Sequence, residues 1–232
     1  MVPTLGPSDW RRLLADPSRH WRAKRSAYEL AVAWEAARLS DRGLPPDAAA
    51  LLDSCDAFRD AKLLLGIPEH QVDLAGGGHA SQTDLWALLS CQGGAISMSV
   101  EAKAGEPFDD IVSTWLSKAS PRSGKPRRLD QLCDVLSVSK EQVLGCRYQL
   151  LHRAAVALLE ARRFHARHAI LLVHSFAKDE TAYGDFRAFC RVLDVEVDEG
   201  TLVRVGLRHE VEFWAGWLSS STATEAQVRA AI

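Results

Sequence analysis

The sequence predicts an α/β (α+β) chain, and three observations carry that reading. Residues 83–91 (TDLWALLSC) and 96–103 (ISMSVEAK) are two strand-like runs joined by Gly93-Gly94, which makes a hairpin. Residues 146–164 (CRYQLLHRAAVALLEARRF) repeat apolar side chains at helical spacing. AILLVHSF, residues 169–176, is an unbroken apolar run suited to a strand buried on both faces.

Taken along the chain, RSAYELAVAWEAARLSDRGLPP reads as an amphipathic helix stopped by Gly43 and Pro45-Pro46, with Leu30 and Trp34 in the core. CDAFRDAKLLL reads as helical too, because Phe58, Ala61, Leu64 and Leu65 fall on one face. Leu74 to His79 is a glycine-rich turn between strands; no Gly-Lys-Ser/Thr follows it, so it is not a P-loop. DDIVSTWL and RLDQLCDVLSV are helix-like, TAYGDFRAFCRVL continues in the same way after the apolar run, and VEFWAGWL alternates as a late strand with Trp214 and Trp217 on opposite faces. SSSTATEAQVRAAI is a loose tail or a short docking helix.

The chemistry concentrates at the end of the Ile96 strand. Side chains two apart point the same way, so Ser97, Ser99, Glu101 and Lys103 share a polar face, and Ile96, Met98, Val100 and Ala102 a dry one. In an antiparallel hairpin the start of one strand lies beside the end of the next, which brings Asp84 to Glu101. Two carboxylates and a backbone carbonyl, that of Ala102, are a sufficient protein contribution for Mg2+ (or Mn2+), with Lys103 beside it to orient or activate a water. The plain alternative is a structural ion pair. Asp-x-Lys also occurs at Asp60-Ala61-Lys62, within the segment read as helix, so the triplet alone decides nothing.

An acidic residue followed by Glu-x-Lys closing a strand, with a helix and a further strand downstream, resembles the PD-(D/E)XK nuclease-like superfamily. The resemblance implies a restriction-endonuclease-like core over about residues 24–176, a central mixed four-stranded sheet flanked by helices. A first helix would lie within 24–65, a meander at about 70–75, 83–91 and 96–103, a second helix at 146–164 and a fourth strand at 169–176. Thr83 stands where the family often has proline. The strings GIPEH, SQTDLW, VEAKAGEPF and RYQLLHR together look like an uncharacterised bacterial domain family within that superfamily.

By the resemblance, Asp84 and Glu101 bind the metal, Lys103 activates water, and Gln149, which shares a helix face with Arg153, positions the lysine or substrate. Arg147, His152 and Arg153 are substrate-binding candidates; for Arg147 and Arg153 the alternative is solvation or pairing with carboxylates at the helix start, and His152 reads either way. Glu29, Glu35, Asp73 and Glu106 are candidates for a further metal-site carboxylate; for Glu29 and Glu35 the alternative is an ordinary helix surface. Lys118, Arg122, Lys125, Arg127 and Arg128 fall in a loop punctuated by Pro, Gly and Ser, which either grips phosphates or is simply solvated. Arg162, Arg163, His165, Arg167 and His168 end the long helix, where positive charge complements its dipole without a ligand. His174 reads as a satisfied core or edge residue.

Composition frames these expectations. The 232 residues, 47% hydrophobic, suffice for one core, so the whole of 1–232 reads as a single nuclease-like domain. It carries a helical insertion at about 104–146, a C-terminal elaboration at 177–218 and a tail at 219–232. A net charge of −2 gives no global attraction to a polyanion, so nucleic-acid binding rests on local charge. Five scattered cysteines without CxxC pairs argue against a disulfide framework and against a zinc site. With no apolar leader and no run of about 20 apolar residues, a cytoplasmic protein without a membrane partner is expected.

The leading expectation is a Mg2+-dependent nuclease acting on nucleic acid, DNA before RNA, in restriction, defence or repair. Two alternatives stand beside it. One is a non-catalytic protein on the same fold, a homodimer or partner-binder through residues 104–146 with Trp115 as its anchor. The other is a hydrolase of a small nucleotide.

Overall fold

In the computed structural model, which describes Met1 and residues 4–231, six strands form one open mixed sheet in the order β1-β2-β3-β4-β6-β5. The elements run α1 (Pro7–Trp10), α2 (Pro17–His20), α3 (Ser26–Ala37), α4 (Pro46–Asp53), β1 (Lys62–Val72), β2 (Ser81–Cys91), β3 (Gly94–Lys103), α5 (Val112–Ser117), α6 (Lys125–Leu136), α7 (Lys140–Val143), α8 (Tyr148–Arg163), β4 (His168–Ser175), α9 (Glu180–Val192), β5 (Thr201–Arg208), β6 (Val211–Ser219) and α10 (Glu225–Ala230). β1, β2 and β3 are an antiparallel meander. β4 joins β3 in parallel, β6 joins β4 in parallel, and β5 closes the far edge antiparallel to β6.

The sheet therefore has six strands, not the four expected. β4 is buried along its whole length. A strand in that position needs a ladder on both edges to satisfy its backbone, and β6 supplies the second one. As expected, Trp214 and Trp217 lie on opposite faces of β6, in the two different cores.

Those cores lie on the two faces of the sheet. One packs α6, α8 and α9 on the side of Leu171 and Phe213; the other packs α3 and α4 on the side of Leu85, Ile96 and Val100. α8 is the inner helix: Leu150, Leu151, Ala154, Ala155, Leu158 and Ala161 are all buried. It lies against β3, so the polar face of that strand is not open to solvent, and β3 is not half-buried as its alternation suggests. Ser97 and Ser99 are fully buried. The Ser97 hydroxyl accepts the indole N–H of Trp86 at 2.9 Å.

Other boundaries differ for local reasons. α3 ends at Ala37, well before Gly43, and Pro46 opens α4 rather than ending a helix, a position where proline loses nothing. The segment around Asp60 is not helical. A short 3-10 turn, Asp56–Phe58, leads to Asp60 at φ 58, and the chain then enters β1 at Lys62. Asp60-Ala61-Lys62 thus sits at a strand entrance, and Leu64 is 60% exposed. β1 starts at Lys62 rather than near residue 70. The expected tail forms α10 and docks on α3.

Candidate active site

The hairpin register places Leu85 opposite Val100, so Asp84 and Glu101 follow as the next facing pair. The Asp84 carboxylate reaches across and accepts the backbone N–H of Ala102 at 2.8 Å. Glu101 and Lys103 leave β3 on the side of α8, and both are almost fully buried, at 1% and 3% exposure. Burial of that kind is tolerated only with partners. Lys103 Nζ donates to Glu101 Oε1 at 2.8 Å and to Gln149 Oε1 at 3.2 Å. Gln149 Nε2 donates to the same Glu101 oxygen at 2.6 Å, which closes a triangle of three side chains. Phe108 covers the ammonium, its ring centroid 4.4 Å from Nζ.

Arg153, one helical turn beyond Gln149, completes the cluster. Its Nε donates to Glu101 Oε2 at 2.6 Å, and its Nη2 lies 3.9 Å from Asp84 Oδ1. Arg153 is thus buried as the counter-charge of the two carboxylates. Burial alone would push the Glu101 carboxyl up, but Lys103 and Arg153 outweigh it and hold it below the usual range.

A third carboxylate, which the sequence reading missed, belongs here. Glu69 stands on β1 opposite Asp84, between the Pro68–Leu85 and His70–Thr83 pairs. Its backbone has φ 52, a left-handed conformation rare inside a strand. Its carboxylate accepts Gln82 Nε2 at 2.5 Å. Burial first, and the Asp84 charge second, push Glu69 up to about 8; burial and the Glu101 charge push Asp84 up to about 7. The available signal was the string GIPEH, but Gly66 and Pro68 argue against a strand there.

The four earlier candidates for that third acid lie elsewhere or do other work. Glu29 is buried and accepts the backbone N–H of Lys24 and of Ala223, which ties the C-terminal segment to α3. Glu35 is buried and accepts Thr4 Oγ1 and the indole N–H of Trp10. Neither is the ordinary surface residue of the alternative reading. Asp73 is exposed and does not border the cleft. Glu106 does border it, with its carboxylate on the backbone N–H of Ala104 at 3.1 Å.

These groups open into a cleft of about 650 Å³ bordered by Glu69, Gln82, Asp84, Glu101, Lys103, Glu106, Gln149 and Arg153. Among the described residues, no group of three or more His, Cys, Asp or Glu side chains is arranged to hold a metal ion. The chemistry of the donors still suits one class of ion. Among the described residues Asp84 Oδ1 has Arg153 at 3.9 Å, and like charge raises both acids, Asp84 acting on Glu69 and Glu101 on Asp84, a cost that a divalent cation would relieve. Mg2+ is held through one or two carboxylates while keeping several waters, so Asp84 with an adjacent acid fits it.

The remaining candidates lie outside that cleft. Arg147, at the start of α8, donates to Asp185 at 2.9 Å and to the Asp109 carbonyl at 3.2 Å, so it fastens α9 and the 104–111 segment. His152 is 8% exposed; its Nδ1 faces Ser81 Oγ at 2.7 Å and Arg153 Nη1 at 3.1 Å. Burial, then the charges of Arg153 and Arg128, push it well below the usual histidine range, so it is neutral. Lys125, Arg127 and Arg128 lie on the first turn of α6, not in a loop. Lys125 donates to the Trp115 carbonyl at 2.6 Å and Arg128 to the Gly77 carbonyl at 2.6 Å, while Arg127 is exposed. Trp115, the expected partner anchor, stacks on Tyr148 with ring centroids 4.0 Å apart. His174 is fully buried, its Nε2 2.9 Å from Ser220 Oγ. The five cysteines are free thiols. Among the described residues no helix is long and apolar enough to cross a membrane.

Residues 3–222 match the family model described as a domain of unknown function (DUF6946), and the chain belongs to that family. No curated protein matches the chain. No solved structure matches it either.

Proposed function

We propose that this family member is a metal-dependent phosphodiesterase of the PD-(D/E)XK type that hydrolyses a nucleic-acid backbone, with Mg2+ or Mn2+ as cofactor. The observation that carries the reading is the contact of Lys103 with both Glu101 and Gln149 beside Asp84. A buried ammonium fixed by two acceptors is a preorganised positive charge, suited to stabilise the negative charge that develops on a phosphate under attack. Asp84 and Glu69 would hold the cation, with Glu101 contributing what Lys103, Gln149 and Arg153 leave free. When bound, the cation would supply charge neutralisation and an acidified water.

The chain's own groups account for the rest. Lys103 orients the water and the phosphate oxygen. Gln149 holds Lys103 and Glu101 in register. The proton that the water loses passes to solvent in the cleft as the water oxygen bonds phosphorus and the ester oxygen departs with the bonding pair.

The test is direct. Purified protein is incubated with Mg2+ or Mn2+ and duplex DNA, single-stranded DNA or RNA, beside Asp84→Ala and Lys103→Met. Cleavage that both substitutions abolish supports the reading. If no polymer is cut and Asp84→Ala leaves metal binding unaltered, it fails. A second reading, a non-catalytic binding module, rests on one observation: both Glu101 oxygens are already occupied by N–H donors of the chain itself. It predicts nucleic-acid binding without turnover.

A further inference from the structure

A second pocket, of about 460 Å³, lies between the Gly76–Gly78 turn, the first turn of α6 and the start of α8. Three features show that it is built for a ligand. The turn carries three consecutive glycines at positive φ, 87, 70 and 81, so a stretch of backbone without side chains borders the pocket and a ligand can approach it closely. Lys125 and Arg128 border the same space and give it positive charge. The Trp115–Tyr148 stack forms its apolar wall.

His152 adds an independent pointer. Arg153 is a donor under all conditions, so the Nδ1 facing it is an acceptor, and the proton of this neutral ring sits on Nε2. The side chain is more than nine-tenths buried and borders the pocket. An N–H donor on a buried side chain at the border of a basic, aromatic-walled pocket suits an acceptor supplied by a ligand.

The pocket is also joined to the carboxylate cleft. Phe108 and Asp109 border both that cleft and a middle hollow, and Trp115 and Tyr148 border both the middle hollow and the glycine-turn pocket. The two loops that shape it are locked together. Gly76 and Gly124 pack backbone to backbone, so that a Cβ on either would run into the other's carbonyl. Gln131 accepts the N–H of Ala75 at 2.6 Å, and Arg128 holds Gly77.

We propose that this pocket binds a nucleoside phosphate: the phosphate on the glycine turn with Lys125 and Arg128, the base against Trp115–Tyr148, and His152 Nε2 donating to an oxygen of the ligand. Its volume suits one nucleotide, so the strand leading from it to the carboxylate cleft is single. This deepens the nuclease reading and rests on it for the link to cleavage, but occupancy of the pocket can be measured without turnover. Aromatic platforms beside cationic grooves are how single strands are held without sequence readout.

Binding is measured by anisotropy in EDTA, where no cleavage occurs, with a labelled single-stranded 12-mer and a 12-base-pair duplex, and by calorimetry with AMP and with inorganic phosphate. Expected are tighter binding of the single strand than of the duplex, and a roughly tenfold loss for Lys125→Gln and for Trp115→Leu with thermal melts still cooperative. AMP that binds while the 12-mer does not assigns the pocket to a free mononucleotide; the reverse assigns it to a strand. Equal affinity for duplex and single strand, or full affinity in both variants, overturns the proposal. Binding that depends on Lys125 in a protein that cuts nothing with Mg2+ sinks the nuclease reading and leaves the pocket standing. Cleavage with binding indifferent to both variants does the opposite.

Discussion

Glu69 and Asp84 face each other across the β1–β2 ladder, two half-buried acids with one guanidinium, that of Arg153, near them. Burial first, then like charge, Asp84 on Glu69 and Glu101 on Asp84, push both carboxyls above their ordinary range, so the folded chain binds protons that the unfolded chain releases.

The sign of the consequence follows. Stability contributed by a raised carboxyl is complete below its unfolded pKa, near 4, and is lost as pH rises through the folded value, about 8 for Glu69. In EDTA, Glu69→Gln should therefore melt a few degrees above the unsubstituted protein at pH 8.5 and close to it at pH 4. Mg2+ or Mn2+ should raise the melting temperature at pH 8.5 but not at pH 4. A difference between the two proteins that does not change with pH would refute this coupling.

Lys103→Met removes the ammonium but leaves Arg153 on Glu101, so the fold should persist. Cleavage should fall by on the order of a hundredfold or more. Gln149→Ala, which removes only the positioning contact, should cost less and broaden the pH profile. Single-turnover rates across pH distinguish the two.

Arg153→Met leaves Glu101 and Asp84 without their counter-charge on the α8 side. Breaking a buried pair from one end should destabilise by about 3–5 kcal/mol. Arg153→Met combined with Glu101→Gln should recover only part of that loss, because the carboxylate that Arg153 neutralised is gone but the buried Lys103 ammonium then lacks its own partner. Denaturant melts of the two singles and the double measure the coupling.

Gly124→Ala keeps an ordinary φ but drives a methyl into the Gly76 carbonyl. A loss of about 1–3 kcal/mol is expected, with weaker binding of the single-stranded 12-mer. Gly77→Ala, with nothing near its Cβ position but φ 70, should instead show mainly backbone strain and a smaller stability loss.

Parts of this site were legible because they are local. Strand parity alone puts Glu101 beside Lys103, and the hairpin brings Asp84 to them; helical spacing puts Gln149 and Arg153 on one face, and both reach Glu101. β1 was misread for an equally local reason. Gly66 and Pro68 look like strand breakers, yet β1 is an edge strand, where a missing N–H costs no ladder bond on its open side. β5 escaped notice because Arg204, Arg208 and the irregularity between Arg204 and Gly206 erase its alternation, features common on an edge.

The sequence by itself determined which side of each strand or helix a residue leaves from, because that depends only on backbone periodicity. It thereby assembled Asp84, Glu101 and Lys103. Only the tertiary structure decided what meets them: Glu69 through a left-handed residue in the neighbouring strand, Arg153 as a buried counter-charge rather than a surface cation, and a glycine turn clasped to α6 some fifty residues on. Those contacts join segments far apart in the chain. They follow from which faces must be buried together, and no local period encodes that.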